Sequence, residues 1–101
     1  MTRIILTRYD DGGERLVVGW DHPSNGCFYQ EFNQGDDEPE VLRDGGMMNG
    51  IPITALVGSM PDDLSPYVTD EVLHLLGEHA EDPDSGYKGP NARPVDLTRR
   101  A

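Results

Sequence analysis

The chain has 101 residues, enough for one domain, and a hydrophobic content of 36% leaves little apolar material for its core. Its net charge of −11 excludes a broad nucleic-acid-binding surface, because phosphates are held by lysines and arginines. The chain contains no long apolar run, so we expect neither a membrane span nor a secretory signal, and we expect a cytoplasmic protein.

Residues 3–9 predict a first β-strand, because this segment is rich in β-branched and aromatic side chains. Residues 10–13, with the letters DDGG, follow as a hairpin connection, since Asp-Gly and Gly-Gly steps suit tight turns with positive φ. A second strand is therefore expected to run antiparallel to the first.

Residues 15–33 predict a β-hairpin that carries the only Trp, the only Cys and both Phe residues of the chain. One face of its first strand carries Leu16, Val18 and Trp20, and Val17 makes the opposite face partly apolar. The turn lies in residues 22–26, where Pro fixes φ and Asn-Gly supplies positive φ. We expect the aromatic side chains of this hairpin to form most of the core.

Residues 34–40 predict an acidic loop, because the segment contains no apolar side chain. Its three adjacent carboxylates do not have the spacing of an EF-hand calcium loop, so we interpret them as a solvated loop tip. Residues 40–43 predict a short fourth strand, and residues 44–50 a glycine-rich connection.

One or two helices are expected after this connection. Residues 51–60 fit the templates of a helix and of a strand equally well, and Pro52 favours the helix. The clearer helix begins at Ser65 or Thr69 and ends at about Glu81, before an Asp-Pro step. Its apolar stripe consists of Val68, Val72, Leu75, Leu76 and Ala80.

Together these elements predict a single α+β domain over residues 1–83, a three- to four-stranded antiparallel β-meander packed by one or two C-terminal helices. Residues 84–101 have no hydrophobic period and several Pro and Gly, so we expect an extended or disordered, flexible tail. The charge divides similarly: residues 1–84 hold 18 acidic and 4 basic residues, whereas residues 85–101 hold 1 acidic and 4 basic.

We expect no catalytic residue, no metal site and no cofactor. A single cysteine forms neither an internal disulfide nor a cysteine-based zinc site, so Cys27 is predicted to be a small buried side chain. His74 and His79 are about 140° apart around a helix, whereas a metal-binding pair is spaced by three or four residues. We expect both to face solvent. An enzyme or metalloprotein would instead show bound metal or a pocket lined by His22 and Cys27.

The run Val17-Val18-Gly19-Trp20-Asp21-His22-Pro23, followed by Phe28 and Gln30, resembles a hairpin of small bacterial proteins encoded on plasmids and in phage-rich regions. In those proteins a V-x-G-W-D-x-P run leads into an aromatic strand, an acidic loop and helices, and residues 51–56 look similar to the start of their first helix. The resemblance implies a phage or mobile-element origin and a bacterial host cytosol, but it carries over no functional residue. In size and acidity alone the chain is similar to anti-CRISPR proteins.

These observations favour a non-enzymatic acidic binding protein that blocks a basic nucleic-acid-binding surface of a host defence complex, as a nucleic-acid mimic. Its partner would be a basic protein or nucleoprotein complex, with no direct binding of nucleic acid or membrane. The predicted contacts are six acidic residues: Asp36, Asp37, Glu38, Glu40, Asp62 and Asp63. The alternative is an accessory module that forms a homodimer, or docks on a protein partner, through an exposed Trp20 or Tyr29. A third interpretation also stays open, in which the acidic surface only keeps the chain soluble.

Overall fold

A computed structural model of the protein describes residues 2–21, 24–34, 40–81 and 95–97. Four antiparallel strands form its centre: β1 Ile4–Arg8, β2 Glu14–Asp21, β3 Gly26–Phe32 and β4 Val41–Gly45. Consecutive strands pair with one another, and β5, Val95–Asp96, lies parallel to β1, so the order across the sheet is β4-β3-β2-β1-β5. The predicted α+β meander is confirmed.

The turns between the strands have the backbone conformations that their residues predict. Gly12, between β1 and β2, has φ of +90°, and its N–H donates to the Tyr9 carbonyl at 2.9 Å. Asn25, between β2 and β3, has φ of +52°, which Asn tolerates better than most side chains. Both connections are short, and therefore each strand lies beside the next one in the chain.

One face of the sheet is covered by helices. These are α1, Leu56–Ser59, and α2, Asp70–Glu81, with single 3₁₀ turns at Ile53–Ala55 and Ser65–Tyr67. The predicted stripe of α2 faces this core: Val72 and Leu76 are buried, and its remaining members pack against the same cluster. Thr69 caps α2, since its Oγ1 accepts a hydrogen bond from the Val72 N–H at 3.4 Å. The sheet residues buried here are Ile4, Leu16, Val18, Trp20, Cys27 and Tyr29.

Residues 51–60 contain both conformations that their pattern allowed. Ile51 is extended and exchanges two backbone hydrogen bonds with Cys27, at 2.7 and 3.0 Å. Helical structure then begins at Ile53, directly after Pro52. Proline disfavours a helical conformation in the residue before it and suits the start of a helix, so Pro52 fixes the change from one to the other.

The opposite face of the sheet has a second, smaller core. Ile5, Val17 and Phe28 are at most 1% exposed there, and Phe32 and Met47 pack against them. Met47 belongs to the glycine-rich connection after β4, which therefore contributes to the fold. The central hairpin is buried on both faces, as Val17 predicted.

Two glycines make room for aromatic rings across the strands. Gly19 lies opposite Phe28 and Gly45 lies opposite Tyr29. A Cβ atom at Gly19 would lie 2.6 Å from the Phe28 ring and would collide with the Thr2 carbonyl oxygen. A Cβ atom at Gly45 would lie 2.5 Å from the Tyr29 ring. Each ring therefore packs over the backbone of the neighbouring strand, where a larger residue would displace it.

The C-terminal region contributes one short strand to the sheet. Val95 and Asp96 pair with Ile4 and Ile5, and Leu97 packs against the helix-side core. Two residues carry no periodic signal, so the sequence does not predict β5. The rest of the predicted tail lies outside the described residues, and the boundary at residue 83 stays a prediction. Among the described helices, none is long and apolar enough to cross a membrane.

The glycines allow a matched stability test of this packing. Gly19→Ala is expected to lower the free energy of unfolding by about 1–3 kcal/mol, because the added methyl overpacks a filled site. Gly77→Ala is the same chemical change inside α2, where the new Cβ would meet nothing within 4 Å apart from its chain neighbours and the backbone of its own helix. It is expected to raise this free energy by about 1 kcal/mol. Urea unfolding of both variants measures the difference. Equal effects would show that Phe28 and Thr2 do not constrain position 19.

Candidate functional site

The six predicted contact acids fall into two groups. Asp36, Asp37 and Glu38 lie outside the described residues. Glu40, directly before β4, and Asp62 and Asp63, in the connection after α1, are exposed. Contact of these residues with a partner stays a prediction, and the structure shows what surrounds the second group.

Arg43 in β4 joins one of these acids to the sheet. Its guanidinium donates to both carboxylate oxygens of Glu31 in β3, at 2.6 and 2.9 Å. It also donates to both oxygens of Asp63, at 3.0 and 2.8 Å. Glu31 is the buried member, with a side chain only 8% exposed, whereas that of Asp63 is 60% exposed. The three side chains, here called the Arg43 cluster, link β3, β4 and the connection after α1.

The hydrogen bonds of the Arg43 cluster favour the charged forms of both Arg43 and Asp63. Hydrogen bonding to Glu31, and then to Asp63, raises the pKa of Arg43 above its already high value. The hydrogen bond from Arg43 lowers the pKa of Asp63, and the charge of Arg15 contributes a smaller effect of the same sign. The cluster therefore holds Asp63 as an anion, bound within the chain.

Asp63 consequently differs from the other two exposed acids. Its two oxygens are engaged by Arg43, so a partner arginine would have to compete for them. Glu40 is held through its backbone, since its N–H donates to Asn33 Oδ1 at 2.8 Å and its carbonyl accepts from the Asn33 N–H at 2.9 Å. Its side chain remains exposed, as does that of Asp62. Glu40 and Asp62 are thus the better candidates for contact with a partner.

Arg43 is the residue that the sequence analysis missed. It is the only base between Arg15 and Lys88, and it lies among acidic residues. That isolation is a signal of internal pairing, because a single base in an acidic surface is attracted by many carboxylates. The sequence alone does not say which carboxylates are its partners, since Glu31 and Asp63 are 12 and 20 residues away.

A second arginine lies beside this cluster. Arg15, in β2, donates to the Tyr67 hydroxyl at 3.2 Å, and its guanidinium lies 5.7 Å from the centre of the Tyr67 ring. This contact fixes the 3₁₀ turn before α2 against the sheet. Both arginines of this region are therefore engaged within the chain.

The aromatic residues of the hairpin lie in the core. Trp20 is 8% exposed and Tyr29 is 7% exposed, and Phe28 is fully buried. The prediction that these side chains form the core is confirmed. The alternative function predicted an exposed Trp20 or Tyr29, and both are buried. Self-association or docking through the rest of the hairpin stays a prediction.

Cys27 is fully buried between Trp20 and Ile51, as the sequence predicted. Burial raises the pKa of its thiol to about 11. The thiolate, which is the reactive and metal-binding form, is therefore disfavoured at neutral pH. Cys27 acts as a small core residue.

The two helical histidines differ in exposure. His74 faces solvent, with a side chain 76% exposed, and its Nε2 lies 2.9 Å from Glu78. His79 is only partly exposed, so the expectation that both face solvent is wrong for this residue. His22 lies outside the described residues. Within the described part of the chain, no three His, Cys, Asp or Glu side chains converge to hold a metal ion.

No family model matches the chain, and no solved protein structure matches it. The resemblance of its hairpin to that of small plasmid- and phage-associated bacterial proteins therefore stays a prediction. Any functional proposal depends on the geometry and charge described above.

Two neighbouring aspartates allow a test of the Arg43 cluster in which both variants have the same net charge. Asp63→Asn is expected to lower the free energy of unfolding, because Arg43 loses a charged partner. Asp62→Asn removes the same charge one residue away and is expected to leave that free energy nearly unchanged or slightly raised, since it relieves repulsion. Glu31→Gln is expected to cost about 1–3 kcal/mol, because Glu31 is buried. Urea unfolding at pH 7 measures all three, and equal effects of the two Asp variants would contradict the pairing.

The pairing of Asp63 with Arg43 also predicts that the free energy of unfolding depends on pH. The pKa of Asp63 is lowered in the folded state, so its pairing stabilises the protein above the ordinary carboxyl pKa of about 4. That contribution is lost as the pH falls through the folded-state pKa. The difference in unfolding free energy between wild type and Asp63→Asn should therefore shrink below about pH 4. A difference that is unchanged at low pH would show that the carboxylate charge is irrelevant.

The buried thiol of Cys27 is expected to make the free energy of unfolding depend on pH in the alkaline range. The pKa of the thiol is about 11 in the folded state and near 9 in the unfolded state. Between pH 9 and 11 the unfolded state therefore binds fewer protons than the folded state. Wild type is therefore expected to lose about 2–3 kcal/mol of unfolding free energy between pH 9 and 11 beyond the loss in Cys27→Ala. Parallel pH profiles for the two proteins would show that the thiol is not protected by burial.

Proposed function

We propose that the protein is a non-enzymatic binding protein that places its acidic surface on a basic, nucleic-acid-binding surface of a host defence complex. It would act as a nucleic-acid mimic encoded by a phage or other mobile element, in the manner of an anti-CRISPR protein. Its carboxylates would take the positions that phosphates occupy on the partner's lysines and arginines.

One observation carries this proposal: the arginines of the domain are used internally. Arg3 pairs with Glu14 at 2.6 Å, and Arg8 donates to the Gly12 carbonyl at 2.6 Å. Arg15 contacts Tyr67, and Arg43 holds Glu31 and Asp63. These four are all the bases in residues 1–84, a segment with 18 acidic residues. Most of the acids in the described part of the chain are exposed, so their charge is available to a partner.

The exposed acids belong to several separate segments of the chain, so the negative charge is not confined to one element. Described residues that contribute exposed carboxylates include Asp10, Asp11, Glu40, Asp44, Asp62, Asp70 and Glu81. Such a field accelerates encounter with a basic surface and weakens with salt. An acidic surface that only provides solubility would produce no specific complex, and this difference makes the proposal testable.

The test is displacement of nucleic acid from a purified, basic CRISPR effector complex. The wild-type protein is expected to release bound nucleic acid, with an apparent affinity that falls steeply between 50 and 200 mM salt, roughly as nucleic acid itself does. The double variant Glu40→Gln, Asp62→Asn should displace it about tenfold less effectively, a loss of about 1.4 kcal/mol.

A charge-matched control separates a site from a general field. The double variant Asp10→Asn, Glu81→Gln removes the same number of negative charges and is expected to remain close to wild type. Equal losses in both double variants would contradict the assignment of Glu40 and Asp62 as contacts. Absence of displacement at low salt by the wild-type protein from the effector complexes of the host bacterium would contradict the proposed function itself.

A further inference from the structure

The outer edge of β4 differs from the rest of the surface. β4 is the last strand of the sheet, and Val41 and Leu42 on it are 40% and 54% exposed. Met48, in the connection that follows, is 90% exposed. Thus three of the five large apolar side chains exposed in the described part of the chain lie within eight residues of sequence.

The backbone of this edge has hydrogen-bonding groups directed outward. Cys27 exchanges both of its hydrogen bonds with Ile51, which shows that its peptide groups face the β4 side of β3. β3 is paired regularly with β2, so Gln30 and Phe32, at odd distances from Cys27, direct their peptide groups towards β2. Their partners on the other side, Asp44 and Val41, therefore direct N–H and C=O groups away from the sheet.

The charge at this edge is negative. Arg43 is the only base on the strand, and Glu31 and Asp63 neutralise it. Glu40 and Asp44 are exposed at the two ends of the strand, and Asp62 is adjacent to the Arg43 cluster. An extended segment that added to β4 would thus meet apolar side chains flanked by carboxylates.

A second copy of the chain is the competing occupant of this edge. Antiparallel pairing of β4 with itself about a two-fold axis at Arg43 or Asp44 would place like charges directly opposite one another, which is destabilising. Pairing of Val41 with Asp44 of the second copy avoids that repulsion, and the test below separates this case. An irregularity in the register with β3, between Glu31 and Phe32, interrupts the strand near Leu42 for any added segment. The net negative charge of the edge favours a segment of the opposite charge.

We propose that the outer edge of β4 binds an extended segment of a partner protein in which basic and apolar residues alternate, by addition of a strand. Backbone hydrogen bonds at Val41 and Asp44 would hold the segment. Its basic residues would lie on the face that Asp44 shares with Val41, where they would pair with the Asp44 carboxylate and cover Val41 with their aliphatic stems. The inference rests on the proposed function for the basic character of the partner, and it adds the mode of binding.

The first test uses a defined probe, a blocked octapeptide of alternating lysine and valine. Its control is the same peptide with proline at each valine, which keeps the charge and cannot donate from those positions. The lysine–valine peptide is expected to bind at least about tenfold more tightly, and amide hydrogen exchange is expected to slow at Val41 and Asp44.

Two results would overturn the inference. Equal binding of both peptides without protection of Val41 and Asp44 would show that electrostatic attraction alone operates, and would leave the proposed function intact. Protection of the same two amides without peptide, increasing with protein concentration, would assign the edge to a second copy of the chain.

Two charge-reversal variants distinguish the binding site at the edge of β4 from the proposed function. Asp44→Lys on β4 and Asp10→Lys in the turn between β1 and β2 change the net charge by the same amount. If the edge binds the segment, Asp44→Lys weakens binding of the lysine–valine peptide by about tenfold more than Asp10→Lys does. Equal weakening overturns the edge site while the displacement of nucleic acid still tests the proposed function.

Discussion

The pairing of β2 with β3 is the interaction on which the other elements depend. Six residue pairs join the two strands, from Leu16–Glu31 to Asp21–Gly26. The hairpin is apolar on both faces, so it can be buried from two sides although the chain has few hydrophobic residues. α2 and α1 cover one face, and Met47, in the connection after β4, packs on the other. A small domain gains from this arrangement because one hairpin serves two cores.

The Arg43 cluster adds a polar interaction to this apolar hairpin. Glu31 is the one carboxylate that the sheet buries in the described part of the chain, and a buried carboxylate is costly unless it is paired and hydrogen-bonded. Arg43 meets this requirement from the adjacent strand and extends the interaction to Asp63. The cluster thereby fixes the connection between the two helices relative to β4, and it holds Asp63, the neighbour of Asp62 in sequence, against this strand.

The elements with strong local signals were predictable from the sequence. Alternation in residues 15–33 predicted the hairpin and its two apolar faces, and the stripe from Val68 to Ala80 predicted the packing of α2. The tertiary ion pairs were not predictable, because nothing local connects Arg43 to Glu31 and Asp63. β5 was not predictable either, since a two-residue strand has no period. His79 was expected to face solvent, whereas its position three residues after Leu76 places it beside the apolar stripe of α2, where it is only partly exposed.

The edge of β4 combines exposed apolar side chains with negative charges, and this combination distinguishes it from the rest of the acidic surface. An exposed edge strand invites pairing with other chains, and natural proteins limit this with short strands, irregularities and charges. β4 has all three features, yet it also exposes Val41 and Leu42, which protection against aggregation would not require. Negative charges repel a copy of the same strand and attract a basic one. The proposed strand addition depends on these side chains, because specific recognition needs attraction to one partner together with repulsion of others.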